Sequence, residues 1–377
     1  ELRHPPHQPK THPRLRPLPP DDHNAFFEEI KHDDLLIHLP YDDFDTSVLR
    51  LLQHAAIDPR VLAIKLTIYR TSTQSPIVKA LMEAVQRGKQ VAVLVEITAR
   101  FDEAPNIAWG KILEQAGAHV VYGVERLKTH VKLAMVVREE GDGIRRYVHI
   151  GTGNYHTGTA RLYGDLGILS CRAELGEDVS RLFNELTGAI PNQDYHLLLV
   201  APHNMRQRFI ELIRREADNR RAGKAASIRC KMNQLQDRQI IRELYLAAQA
   251  GVEISLNVRG LCSLRAGAPG LSESIRVYSI VGRFLEHSRI YRFENGGEPL
   301  FFIGSADWMK RNLESRVETV MPVHSPALCR ELEGILQVYE RDNSFSWDMQ
   351  PDGSYRRRQP QPGMEALAAQ HIFAERA

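Results

Sequence analysis

Lys128-Thr129-His130-Val131-Lys132, followed downstream by Gly151-Thr152-Gly153-Asn154-Tyr155, is echoed later in the same chain. The echo is Glu286-His287-Ser288-Arg289, followed by Gly304-Ser305-Ala306-Asp307-Trp308. Each reads His-x-(Lys/Arg), a strand-length gap, then Gly-(Thr/Ser)-x-(Asn/Asp)-aromatic. A single occurrence is an ordinary strand-end histidine beside a solvated cation. Two in the same order point to a duplicated unit. Two such units can share one active site, each supplying one histidine and one cation. That pairing suits phosphoryl or phosphodiester chemistry, in which an imidazole attacks phosphorus and cations hold the charged oxygens.

Working outward, the flanking sequence alternates between strand and helix signals. Residues 61–69 are apolar and β-branched and read as a strand. Ser75-Pro76 is a helix start, with Ser at the N-cap and Pro at the first helical position; the helix runs to Arg87 and stops at Gly88. Strand 90–97, helix 106–116 and strand 118–122 follow. Residues 131–137 and 145–150 read as a hairpin across Glu140-Gly141-Asp142-Gly143. A helix over 175–186 closes this half. The second half repeats the theme: helix 203–221, strand 227–232, helix 237–250, strand 252–258, then strands 276–280, 284–293, 300–303 and 316–322, and a last helix from Ser325-Pro326. The expected fold is α/β, as two related domains, each a mixed, largely parallel sheet flanked by helices. The expected division is an extended or disordered Pro- and His-rich arm over 1–20, a first catalytic domain over 21–197, a second over 198–350, and a tail over 351–377.

Composition sets the class. The 377 residues have room for two or three domains; 43% are hydrophobic and 25% charged, as in an ordinary globular protein. A net charge of +2 gives no mandate for nucleic acid or an anionic membrane. The four cysteines have no metal-ligand spacing and form no disulfide framework, so a cytoplasmic setting is expected. The chain begins at Glu1 and reads as part of something longer.

Period two along a strand puts His130 and Lys132 on one face, and a neighbouring cation favours the neutral, nucleophilic imidazole. His287 with Arg289 repeats the pair, with a planar fork suited to bidentate phosphate contact. Arg70, Arg100 and Arg259 fall at the carboxyl ends of expected strands, the edge where open α/β sheets hold ligands. Arg214, Arg215, Arg220, Arg221 and Lys224 form a basic helix segment, read as a solvated face, with a polyanion track as the sharper alternative.

These stretches resemble the long, ATP-using polyphosphate kinases. The likeness includes Tyr69-Arg70-Thr71-Ser72, Ala99-Arg100-Phe101-Asp102-Glu103, Leu127-Lys128-Thr129-His130, Tyr147 through Tyr155, Ala160-Arg161-Leu162-Tyr163, Lys231-Met232-Asn233, Ser279 through Tyr291, and Gly304 through Met309. The resemblance implies two phospholipase-D-like catalytic domains and a reversible, magnesium-dependent transfer of phosphate between ATP and polyphosphate. By motif, His130 is the phosphohistidine; Tyr163, Arg259 and His287 contact the nucleotide; Arg70 and Arg100 belong to the Mg²⁺ neighbourhood. A guanidinium does not ligate a cation, so these two read as phosphate clamps beside Mg²⁺. His156 and Gly164 depart from the family pattern, where Asn and Thr are usual. Family members carry two further N-terminal domains, which makes this chain the expected C-terminal catalytic half. The implied partners are ATP/ADP and inorganic polyphosphate, without nucleic acid; homo-oligomer formation and peripheral membrane association are further expectations.

In the expected mechanism His130 attacks the γ-phosphorus of ATP. Polyphosphate then takes the phosphate, and the arginines, Lys132 and His287 assist. A shared site would hold the two imidazoles on the order of 4–8 Å apart. One alternative is a phospholipase-D-type phosphodiesterase. Those motifs carry Asp five residues after the lysine, where this chain has Val137 and Glu294. The other alternative is a non-catalytic polyanion-binding fragment.

Overall fold

The computed structural model describes residues 4–69, 75–96, 103–124, 127–188 and 194–377, with residues 103–105 described by backbone alone. The chain forms two compact units, Pro5–Leu198 and Leu199–Arg376.

The first unit is built on a sheet whose strands run in the order Leu35–Leu39, Tyr163–Ser170, Gly143–Gly151, Leu133–Glu140, Val61–Ile68, Gln90–Val95, His119–Tyr122. The second unit's sheet has the order Tyr355–Arg357, Ser346–Met349, Ile275–Ile280, Glu253–Val258, Ser227–Met232, Ile290–Phe293, Leu300–Gly304, Arg316–Val323, with Leu199–Ala201 beyond. Both sheets are mixed and flanked by helices, as the alternation predicts. One detail is corrected: among the described strands, parallel pairing joins Val61–Ile68, Gln90–Val95 and His119–Tyr122 in the first sheet and Ser227–Met232, Glu253–Val258 and Ile275–Ile280 in the second. The hairpins carrying the glycine turns pair antiparallel and make up the larger share.

Local chemistry explains the element ends. Ser75 caps the Pro76–Gln86 helix by accepting the Ile77 N–H, and Gly88 leaves it at φ +79°. Asp237 caps Arg238–Gln249 from Gln239 and Ile240, and Gly251 ends it at φ +89°. In the first helix Ile77, Val78, Ala80, Leu81 and Ala84 are buried, one apolar stripe against the strands. Their packing partners are Ile64, Leu66, Ile68, Val91, Val93 and Val95. The second core repeats this with Ile240, Leu244 and Ala247 against Ile228, Cys230, Ile254, Leu256 and Val258.

Near both ends the chain is anchored within a unit. Residues 5–20 are irregular but anchored: Leu15 is buried, and Arg14 bonds Glu29 at 2.6 Å and the Asp34 carbonyl at 2.9 Å. Residues past 350 are part of the second unit. Tyr355–Arg357 adds a strand, and the Ala369–Arg376 helix buries Ala369, Gln370 and Phe373. The division between the units falls at Leu198, where Asp178 accepts the N–H groups of His196, Leu197 and Leu198 at 2.7–3.0 Å. On the basic face of the Met205–Arg221 helix, Arg214 pairs with Glu243 at 2.7 Å and Arg221 with Asp218 at 2.8 Å. Among the described residues no helix is long and apolar enough to cross a membrane.

Candidate functional site

In the first unit the carboxyl ends of Val61–Ile68 and Gln90–Val95 are closed by one residue. Asn106, fully buried, donates 2.9 Å bonds from Nδ2 to the carbonyls of Tyr69 and Glu96. Its Oδ1 accepts from Trp109 Nε1 at 3.1 Å. Tyr69 meets the His130 ring edge to face, centroids 5.5 Å apart. Lys128 Nζ and Lys132 Nζ lie 5.2 and 5.5 Å from the Tyr69 ring centre, within cation–π reach. Lys132 is only 1% exposed, and its ammonium donates to the His130 carbonyl. Buried Glu96 accepts the Thr129 N–H at 2.6 Å.

His130 and Lys132 are not in a regular strand; Leu133–Glu140 begins just after them. The same holds in the second unit, where the expected strand 284–293 is broken into Leu285–Glu286 and Ile290–Phe293. The cause is visible in the hydrogen bonds. Side chains replace ladder partners: Thr67 Oγ1 bonds the Val131 carbonyl at 3.0 Å and the Leu133 N–H at 3.0 Å. The histidines therefore sit on short irregular segments held by side chains from neighbouring strands.

In the second unit Asn233 is the hub. Its N–H reaches Asp307 Oδ1 at 2.7 Å and its Nδ2 reaches the His287 carbonyl at 3.1 Å. Its Oδ1 accepts from Arg259 Nε at 2.9 Å. Arg289, 2% exposed, forks onto both Asp307 oxygens at 3.2 Å. Its Nη1 donates to the His287 carbonyl at 2.7 Å and lies 3.3 Å from each ring nitrogen. Burial pushes the Asp307 carboxyl up, but the Arg289 charge and hydrogen bonds, the Asn233 N–H and His287 outweigh it, holding Asp307 down at about 2.

The glycine turns are locked alike. Thr152 Oγ1 donates to Asp165 Oδ1 at 2.5 Å and accepts the Leu166 N–H at 2.9 Å. Ser305 Oγ donates to Glu318 and accepts the Thr319 N–H at 3.1 Å. All four side chains are buried. Glycine is needed where the backbone closes on these locks: a Cβ on Gly153 would lie 2.3 Å from Asp165 Oδ2, and one on Gly304 2.1 Å from the Thr319 carbonyl. The strand edges match as well. Glu96 donates its N–H to the Ile68 carbonyl at 3.0 Å, and Arg259 donates to the Met232 carbonyl at 3.2 Å. The duplication read from two motifs thus extends through Ile68/Met232, Glu96/Arg259, Thr152/Ser305 and Asp165/Glu318.

Of the residues expected from sequence, His130 and Lys132 come together in the first unit, and Arg259, His287 and Arg289 in the second. Tyr163 opens the strand that carries Asp165 and is half-buried. Arg70 and Arg100 lie outside the described residues. Asn233 and Glu96 were missed as site residues. Their signal is a polar side chain directly past an apolar strand.

Comparison with known proteins follows from this geometry. Residues 25–193 match Polyphosphate kinase C-terminal domain 1, and residues 198–370 match Polyphosphate kinase C-terminal domain 2. A polyphosphate kinase of Thermosynechococcus vestitus is 56% identical over 340 residues, 90% of this chain and 46% of that protein. The crystal structure of polyphosphate kinase from Porphyromonas gingivalis superposes on all of this chain and 56% of its own, with TM-score 0.91 and 38% identity. Phosphatidylserine synthase of Haemophilus influenzae shares the fold alone, with TM-score 0.56 and 10% identity over 91% of this chain and 92% of that one. The chain spans about half the length of the curated relatives it matches. Matched across both units and at this identity, the chain belongs to the polyphosphate kinase family.

Proposed function

We propose that this chain carries the phosphotransfer chemistry of an ATP:polyphosphate phosphotransferase, working reversibly through a phosphohistidine at His130. The observation that carries the reading is the duplicated constellation: each unit holds a half-buried histidine beside a buried cation, on a segment fixed by side chains and backed by a hydroxyl–carboxylate lock.

In the forward direction a His130 ring nitrogen attacks the γ-phosphorus. An N–P bond forms, the P–O bond to ADP breaks, and ADP leaves with the electron pair. A terminal oxygen of polyphosphate then attacks the same phosphorus, the N–P bond breaks, and the chain is one unit longer. Lys132 places its charge against the His130 backbone, where it stabilises the transferring oxygens. Arg259, Arg289 and His287 are the proposed contacts for nucleotide or leaving phosphate, Tyr163 a further nucleotide contact, and Arg70 and Arg100 phosphate clamps.

Mg²⁺ is implied by the family. Among the described residues no group of three or more His, Cys, Asp or Glu side chains is placed to hold a metal ion. Asp307, paired with Arg289, has its oxygens taken by Arg289 and Asn233, and Glu286, directly before His287, has its oxygens by Lys231 and Gln370. The described residues therefore do not fit a resident protein-caged Mg²⁺. The ion belongs to the substrate, carried on phosphate oxygens, and no step here is routed through a protein-bound metal. A cytoplasmic setting, homo-oligomer formation and peripheral membrane association belong to the same proposal by family resemblance.

The test is incubation with γ-labelled ATP and Mg²⁺. The expected result is an acid-labile, alkali-stable label on the protein and a polymeric product. Cleavage of phosphodiesters without labelling would favour the phosphodiesterase alternative. Polyphosphate binding with neither activity would leave a non-catalytic polyanion-binding fragment.

A further inference from the structure

The His287 segment is gripped from behind by the C-terminal helix. Gln370 lies in Ala369–Arg376 and is 5% exposed. Its amide pairs with both backbone groups of Phe284, accepting the N–H at 2.9 Å and donating to the carbonyl at 2.8 Å. Its Nε2 also lies 2.8 Å from Glu286 Oε1. The other Glu286 oxygen lies 3.1 Å from Lys231 Nζ, and that ammonium lies 3.3 Å from the Ser288 carbonyl. Glu286 and Lys231 are each 1% exposed. The residues on both sides of His287 are therefore tied into one buried relay.

The helix that supplies Gln370 is itself fixed. Phe373 meets Tyr339 edge to face at 5.1 Å, and the Ala369 N–H donates to Asp342 at 2.7 Å. Tyr339 also takes Lys231 over its ring at 5.1 Å, so one aromatic touches both the relay and the helix that supplies Gln370. Space around Gln370 is tight: a Cβ on Gly282 would lie 2.5 Å from its Oε1. A buried amide that bonds both backbone groups of Phe284 and the Glu286 carboxylate is costly to lose, because those buried polar groups are then short of a hydrogen bond.

We propose that Gln370 is a positioning residue: through Phe284, Glu286 and Lys231, the C-terminal helix sets the backbone on which His287 is presented. This rests on the role proposed above for His287, but its primary readout does not need activity.

The experiment compares the unsubstituted chain with Gln370→Ala and the milder Gln370→Asn. It measures hydrogen–deuterium exchange by peptide, melting temperature, and, where the unsubstituted chain forms a phosphoenzyme, kcat and KM for ATP. Exchange at residues 284–289 should rise about tenfold or more in Gln370→Ala, and less in Gln370→Asn. Peptides from the Arg238–Gln249 helix should stay protected, and the rate of labelling should fall in the same order. Unchanged protection at 284–289 would overturn the proposal, as would loosened protection with wild-type labelling kinetics. Global loss of protection in both variants would also overturn it, since the helix would then be a general stability element. If the unsubstituted chain makes no phosphoenzyme, the reading of function fails on its own, and local exchange still decides whether the brace exists.

Discussion

Replacing Asp307 by asparagine removes one charge and almost no volume, and the structure sets the consequence. Asp307 is buried against Arg289, with two contacts at 3.2 Å, and holds the Asn233 N–H at 2.7 Å. Its carboxyl drops from an ordinary 3.8 to about 2. At about 1.36 kcal/mol per pH unit, that drop makes the ionised carboxylate roughly 2 kcal/mol more stabilising in the folded than in the unfolded chain. Asp307→Asn also leaves Arg289 buried without its counter-charge, a situation that costs about 3–5 kcal/mol in comparable pairs. A loss of roughly 2–5 kcal/mol from the second unit is expected at pH 7. The sign with pH follows from the depressed value. The contribution is fully present above about pH 4 and is lost as pH falls towards 2, so the gap between the two chains should narrow to about half by pH 3. The assay is urea unfolding followed by tryptophan fluorescence at both pH values; Trp308, fully buried beside Asp307, reports the local transition. A gap below about 0.5 kcal/mol at pH 7, or one equal at pH 7 and pH 3, would refute the reasoning.

His130→Ala should abolish both protein labelling by γ-labelled ATP and polymer synthesis; retained labelling would move the nucleophile elsewhere, first to His287. Arg70→Ala and Arg100→Ala should each cost roughly 2–4 kcal/mol in the transition state, read as kcat/KM, by analogy with loss of one oxyanion donor, and Lys replacements should recover only part. Burial lowers His149 to about 3 from 6.5, so the unfolded chain binds the extra proton between those values. The first unit should therefore be roughly 2 kcal/mol less stable at pH 5 than at pH 8 from this group alone; urea midpoints of His149→Phe should lose that slope.

What the sequence discloses here is what local chemistry decides. Ser75, Asp237 and Ser325 cap helices through N–H groups no more than three residues away, and Gly88 and Gly251 end helices by their own conformation. The paired motifs disclose the duplication because both turns need glycine, at Gly153 and Gly304, where the next strand closes on the backbone. What stays hidden is supplied from far along the chain. Gln370 is separated from Glu286 by 84 residues and sits in a stretch whose composition reads as a tail. Asn233 and His287 are 54 apart, and nothing near either one announces the other. The break in each histidine strand is hidden for the same reason: β-branched residues favour a strand, and only the intruding Thr67, Asn233 and Lys231 side chains interrupt it.

The two units are repeats in backbone but not in charge, and the difference bears on which histidine does what. Past the second parallel strand the first unit places Glu96, and the second places Arg259, on the same backbone bond to the preceding strand. In the glycine turn the order reverses: Asn154 stands where the second unit has Asp307. The buried carboxylates at these two positions, Glu96 and Asp307, thus come from different elements. In the first, Glu96 holds the backbone N–H of Thr129, directly before His130. In the second, Asp307 is spent on Arg289, and Arg259 is an added cation tied back to Asn233. Arg259, tied to Asn233, and Arg289, tied to Asp307, give the second unit fixed guanidinium forks, suited to holding phosphate oxygens without forming a bond. In the first unit the described cations by His130 are the ammoniums of Lys128 and Lys132, and Glu96 fixes the adjoining backbone, an arrangement that suits a residue that must form and release an N–P bond. This difference in cation type supports the proposed covalent role of His130 and the proposed holding role of His287.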